Sequence, residues 1–170
     1  MDLIVKNPHL VVWGAYEFQC AVGRGGFVQA MDKSEGDGKT PVGRWPMREV
    51  FYRADRVPPL VTALPVRVTQ PDDAWCDIAG DPCYNQHVKL PYPTQDEHLW
   101  REDALYDIMV VLGYNDAPVM QGKGSAIFLH VVRPDYSPST GCITLAQEDL
   151  ISVLREANKD SAVLIEPFSG

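Results

Sequence analysis

Prolines and glycines interrupt this chain at short intervals from end to end, fourteen of one and thirteen of the other in 170 residues. Proline removes a backbone donor and clashes with the preceding helical turn, and glycine is costly inside a helix. Long helices are therefore excluded along nearly the whole chain. Between the breaks lie short apolar runs. Residues 3–5, 10–13 and 16–22 read as a meander broken at Asn7-Pro8 and Gly14 and closed by Gly23-Arg24-Gly25-Gly26. Residues 45–52, 65–69, 106–112, 126–132 and 162–166 continue the series. The pattern predicts a mainly β protein with one or two short helices packed on it. A chain of this length makes one domain, residues 1–170, and buries a substantial core without disulfide staples.

One helix has its own signal. Thr144-Leu145-Ala146-Gln147 has the form of a capping box, with threonine as cap and glutamine at the third helical position. Leu150, Ile151, Val153 and Leu154 then recur at helical spacing, and Glu148-Asp149 suits the positive end of the helix dipole. A shorter helix is predicted over residues 95–103. Residues 72–103 otherwise form a loop-rich insert, poorly periodic but rich in Trp75, Cys76, Asp77, Asn85, His87, Tyr92, His98 and Trp100. Such a stretch is more often a packed functional loop than a disordered one.

The formal net charge is −8 with no run of lysines or arginines, which argues against nucleic acid and anionic membrane surfaces as partners. No apolar run is long enough to span a bilayer. The first residues lack the basic start, apolar stretch and small-residue cleavage site of a secretory signal, so the expectation is either a cytoplasmic protein or a mature form. Of four cysteines, Cys20 alternates with its neighbours and reads as a small buried hydrophobe. Cys76 and Cys83 are close enough in sequence to bridge in an oxidising compartment.

The chemistry concentrates near the C-terminal end. Cys142 lies in Ser139-Thr140-Gly141-Cys142-Ile143-Thr144, twelve positions after His130, which closes the apolar segment Ala126-Ile127-Phe128-Leu129-His130. Alternation puts Ala126, Phe128, His130 and Val132 on one face of a strand and Ile127, Leu129 and Val131 on the other. A thiol becomes a nucleophile when a base lies within reach and backbone N–H groups hold the oxyanion that forms on attack. Gly141 permits a backbone geometry closed to other residues, so the N–H groups of Gly141, Cys142 and Ile143 are candidates for that role. A nearby imidazole is expected to lower the cysteine pKa below its free value of about 8.5.

These residues resemble the L,D-transpeptidase catalytic domain (YkuD-like) family, which carries an upstream histidine and then Ser/Thr-His-Gly-Cys followed by an apolar residue. His130, Ser139, Gly141, Cys142 and Ile143 stand in those roles. The segment Glu35-Gly36-Asp37-Gly38-Lys39-Thr40-Pro41-Val42-Gly43 looks like the family's Thr-Pro-x-Gly stretch. Thr140 stands where the common pattern has histidine and Thr144 where it often has arginine, which marks a divergent branch. The resemblance implies a mixed β-sandwich or barrel-like fold and acyl transfer on peptidoglycan stem peptides, without a cofactor or metal. Cys142 would attack the carbonyl between the third residue and the terminal D-alanine of a tetrapeptide, His130 would assist as base and acid, and water or an amine would resolve the thioester. Ser139 would help to position the imidazole, and a backbone carbonyl or Asp135 would fix its tautomer. Arg133 is the candidate for holding a substrate carboxylate. Thr140, Asn85, Tyr92, His98 and Trp100 are candidate substrate contacts, and the family implies an envelope or periplasmic setting.

Other readings stay open at this point. L,D-carboxypeptidase-type hydrolysis would use the same site. Cys76, Cys83, His87 and His98 offer four zinc ligands, although their spacing matches no standard finger. A domain that only binds cell-wall peptides is a third reading. A sortase-like enzyme ranks behind these, because the arginine that follows Cys142, Arg155, falls in the predicted helix.

Overall fold

The structure is a computed structural model and describes residues 1–92 and 97–167. It contains β1 (Asp2–Asn7), β2 (Leu10–Trp13), β3 (Tyr16–Ala21), β4 (Phe27–Gln29), β5 (Thr40–Tyr52), β6 (Val66–Val68) and β7 (Asp73–Trp75). Then follow β8 (His87–Lys89), β9 (Glu97–His98), β10 (Ile108–Leu112), β11 (Phe128–Val131), β12 (Ile143–Leu145), α1 (Gln147–Glu156) and β13 (Ala162–Ile165). The mainly β class and the short runs expected from the proline and glycine breaks are both present.

Ten strands form one sheet in the order β10-β11-β12-β3-β2-β1-β13-β5-β4, with β6 beside β5. The long strand β5 also pairs with β10, so the two ends of the order meet and the sheet becomes barrel-like. Closure of this kind leaves few open edges for misassociation. Leu3, Val5, Val11, Val50, Ile108, Val110, Leu129, Ile143 and Leu145 fill the interior with α1 residues Leu150, Val153 and Leu154. A small three-stranded sheet, β8-β7-β9, is built from the aromatic-rich insert.

Two helix expectations are corrected. Helix α1 starts at Gln147 with Ala146 as its N-cap residue and no side-chain cap. Thr144 cannot cap it, because it belongs to β12 and pairs with His130 and Ala21. Its hydroxyl donates to the Ala21 carbonyl at 3.3 Å instead. The acidic pair Glu148 and Asp149 does sit in the first turn. The shorter helix over 95–103 is absent among the described residues: Glu97 and His98 pair with β7 as a strand, and Gln95 and Asp96 lie outside them.

Strand β11 is the element that positions the site. It lies between β10, antiparallel, and β12, parallel. Ile127, Leu129 and Val131 face the main interior. Phe128 and Ala126 join a second buried cluster with Phe51, Trp75, Tyr106, Met109 and Cys142. The alternation read from sequence thus separates a structural face from a face turned toward the thiol.

Candidate active site

The parallel pairing of β11 with β12 sets Leu129 beside Ile143, His130 beside Thr144 and Val131 beside Leu145. Side chains alternate along a strand, so His130 and Thr144 share a face with Cys142, which lies two residues before Thr144. The fold therefore brings Cys142 and His130 together through strand register, and both line the same cavity of about 230 Å³.

Cys142 is buried, 5% exposed. The thiol packs in the buried cluster that holds Trp75 and Leu99 of the insert and Met109 and Val111 of β10. Its Sγ accepts the Phe128 N–H at 3.3 Å and donates to the Ala126 carbonyl at 3.2 Å. Burial pushes its pKa up to about 12, the Glu97 charge adds to the rise, and the Phe128 N–H and Lys33 oppose it. The expected lowering by an imidazole does not occur, since His130 carries no charge in this setting. Burial drives the His130 pKa down to about 4, against the pull of the Val131 and Leu105 backbone. The resting pair is a neutral thiol and a neutral imidazole.

The His130 Nδ1 lies 2.9 Å from the Val131 carbonyl. A carbonyl only accepts, so Nδ1 carries the proton and Nε2 keeps the lone pair. A backbone carbonyl thus orients the ring. Asp135 is exposed and accepts the Ser137 N–H at 3.0 Å. The Tyr106 ring packs edge-on against the imidazole, centroids 5.0 Å apart at 83°.

The cysteine turn is braced from several sides. Gly141 has φ +141°, a conformation that an L side chain rarely adopts. The Ser139 hydroxyl donates to the Cys142 carbonyl at 2.6 Å and accepts the Gly141 N–H at 3.1 Å. Ser139 therefore holds the turn rather than the imidazole, and the Gly141 N–H is already engaged. Thr40 is fully buried, and its hydroxyl donates to the Gly141 carbonyl at 2.8 Å. The Thr-Pro-x-Gly stretch recognised in the sequence is thus packed directly under the cysteine turn.

Two cavities meet at Cys142. The first, about 340 Å³, is lined by Lys33, Glu35, Asp77, Glu97, Ser125 and Cys142, among others. Burial raises the Glu35 carboxyl above its ordinary value, and the Ser125 hydroxyl donates to it. The second cavity holds His130, Arg101 and Arg133. Glu97, Tyr106, Thr140 and Cys142 belong to both. One side of the sulfur is rich in carboxylates and the other in guanidinium groups.

The remaining candidates fall in different places. Arg133 and Thr140 are exposed and line the cavities. Asn85 does not: it is buried, and all its polar atoms serve the fold. Its Oδ1 accepts from Trp75 Nε1 and from the Ala126 N–H, both at 3.0 Å. Its Nδ2 donates to the Tyr114 and Asn115 carbonyls at 3.0 and 2.8 Å. Tyr92 donates to Asp81 at 2.6 Å, and the Arg53 guanidinium lies 3.4 Å over the Trp100 ring. His98 is exposed on β9. Tyr92, His98 and Trp100 line neither cavity at Cys142. Glu97, Tyr106, Arg101 and Glu35 do, and no sequence pattern marks them except that Glu35 opens the segment leading to Thr40.

Among the described residues, no group of three or more histidine, cysteine or acidic side chains is arranged to hold a metal ion. His87 Nε2 instead faces Asp73 at 2.7 Å. All four cysteines are free. No helix among the described residues is long and apolar enough to cross a membrane.

The chain matches the family model described as YkuD, the L,D-transpeptidase catalytic domain, over residues 4–165. No curated protein matches it, and no solved structure does.

Proposed function

The chain belongs to the YkuD family of L,D-transpeptidase catalytic domains, and from that premise we propose that it transfers acyl groups of peptidoglycan stem tetrapeptides through a thioester on Cys142. The observation that carries this reading is the junction: Cys142 lies where a carboxylate-rich cavity meets one holding His130 and two arginines. The donor peptide takes the second cavity, with a carboxylate at Arg133. Cys142 swings from the Ala126 carbonyl, passes its proton to Nε2 of His130 and attacks the carbonyl that precedes the terminal D-alanine. Because both groups start neutral, proton transfer accompanies attack, with no thiolate–imidazolium pair formed beforehand. His130 then protonates the departing D-alanine amine, and the Val131 carbonyl stabilises the imidazolium between the two transfers. Water or an amine resolves the thioester.

The test is intact-mass spectrometry of the protein mixed with a stem tetrapeptide, and separately with a carbapenem, beside Cys142→Ala. An adduct on the wild type alone is expected. Equal labelling of the variant, or none on the wild type, removes the reading. The products then report the acceptor: cross-linked peptide for an amine, free tripeptide for water.

A further inference from the structure

We propose that Glu97 is the catalytic base for the acceptor amine, and that the acceptor reaches the thioester through the carboxylate-rich cavity while the donor occupies the other. The proposal rests on the acyl-transfer reading above and extends it to the second half of the reaction. His130 lines only the cavity with the arginines. An acceptor arriving through the first cavity meets no imidazole, and its side of the sulfur is lined by Glu35, Asp77 and Glu97. Among the described residues, Glu97 is the carboxylate common to both cavities, so it borders the thioester from the acceptor's side.

Glu97 is held for this role. It sits on β9 opposite Trp75, and the Tyr106 hydroxyl donates to its Oε1. The Tyr106 ring packs against both Phe128 and His130, centroids 5.8 and 5.0 Å away. The two halves of the site therefore share one rigid support. Burial raises the Glu97 carboxyl above its ordinary range, with Asp77 and Glu35 adding to the rise and Tyr106 and Arg101 opposing it. A raised carboxylate is a stronger base, closer to the amine it must deprotonate.

The acceptor enters as an ammonium, attracted by the acidic lining. It gives one proton to Glu97, and the freed lone pair forms the C–N bond to the thioester carbonyl. The C–S bond breaks with its electron pair on sulfur, and the second amine proton passes to that sulfur to regenerate the thiol. Glu97 releases its proton to water. Water as nucleophile carries no positive charge, so the acidic lining concentrates ammonium acceptors, not water, beside the thioester.

The experiment compares wild type, Glu97→Gln and Tyr106→Phe with stem tetrapeptide as donor and acceptor, and again with hydroxylamine as acceptor. Hydroxylamine is already unprotonated at neutral pH and needs no base. Glu97→Gln is expected to lose cross-linking with the tetrapeptide by about 100-fold relative to its own rate of carbapenem adduct formation, and to keep its hydroxylamine product. Tyr106→Phe is expected to lower cross-linking by a smaller factor with the same hydroxylamine insensitivity. Unchanged cross-linking in Glu97→Gln, or equal loss with both acceptors, overturns the assignment while leaving acylation intact. Absence of any adduct on the wild type removes the acyl-transfer reading, and this one with it.

Discussion

The Thr40 hydroxyl donates to the Gly141 carbonyl at 2.8 Å across 101 residues of sequence and accepts the Gly23 N–H at 2.9 Å. Three turns are thereby fastened at one buried oxygen: the end of the opening meander, the start of β5 and the cysteine turn. Gly23 has no room for a side chain there, since a Cβ would stand 2.4 Å from the Gly38 carbonyl and 3.1 Å from the Gly141 Cα.

Thr40→Val keeps the shape and removes both hydrogen bonds. It leaves a buried carbonyl and a buried N–H without partners, at a cost of about 1–3 kcal/mol for each. A lower urea midpoint and a slower carbapenem adduct are expected together. A midpoint equal to wild type would show that the hydroxyl does not fasten the turn.

The depressed His130 pKa makes folding pH-dependent. The folded state holds the ring neutral down to about pH 4, whereas the ordinary value is 6.5. Below pH 6.5 the unfolded chain binds the proton and the folded one does not, so stability falls as pH drops from 6.5 toward 4. At about 1.36 kcal/mol per pKa unit, this amounts to as much as about 3 kcal/mol. Unfolding free energies of wild type and His130→Gln, measured between pH 4 and 7, should converge toward the acid end. Parallel curves would contradict a neutral buried ring.

Cys142 gives the opposite dependence. With its folded pKa near 12 and an ordinary value of 9.0, it is protonated at rest, and stability is lost as pH rises above 9. Iodoacetamide should label Cys142 slowly at pH 7 and increasingly fast through pH 10. A labelling plateau near pH 7 would mean a preformed thiolate and a different order of proton transfer.

Much of the fold was legible because proline and glycine mark strand ends locally, and eight of the apolar runs lie on strands β1, β2, β3, β5, β6, β10, β11 and β13. Strand β12 was missed because Thr144 fits a capping box as well as it fits a ladder, and only pairing with His130 and Ala21 decides between them. Cys142 and His130 were legible from a motif and one loop. Glu97 and Tyr106 were not, since their partnership crosses elements that nothing in the local pattern connects. The aromatic and polar residues of the insert are candidate substrate contacts by sequence, and in the structure Asn85, Tyr92 and Trp100 have partners within the protein. Side-chain chemistry alone does not distinguish a residue that binds a ligand from one that satisfies its own backbone.

Asn85 makes that point testable. Its φ of +56° suits asparagine and glycine, and its amide satisfies Trp75, Ala126, Tyr114 and Asn115. Asn85→Gly preserves the backbone and orphans these groups. It should lower the unfolding free energy, by about 1–3 kcal/mol per orphaned group at most, and slow acylation by loosening the Ala126 carbonyl that holds the thiol. A variant with wild-type stability and a raised KM for tetrapeptide would instead make Asn85 a substrate contact.

Arg133 should behave in the contrary way. It is exposed on the rim of the His130 cavity, so Arg133→Ala leaves the unfolding free energy within about 0.5 kcal/mol of wild type. The expected change is a KM for tetrapeptide raised about 10- to 150-fold, the equivalent of the 1.5–3 kcal/mol of a charged hydrogen bond, with kcat little altered. A fall in kcat with KM unchanged would move Arg133 from holding the donor to the reaction itself.

The pairing of His130 with Thr144 on neighbouring parallel strands has an evolutionary consequence. The offset between the strand that carries His130 and the strand that follows Cys142 is set by the fixed spacing of strands in a sheet, about 4.8 Å, and not by the number of residues that join them. The connection from 133 to 138 is therefore free to lengthen, shorten or change composition without shifting the two strands. Arg133 rides on that connection at the His130 cavity, so the lining of the cavity can change while the strand register stays fixed.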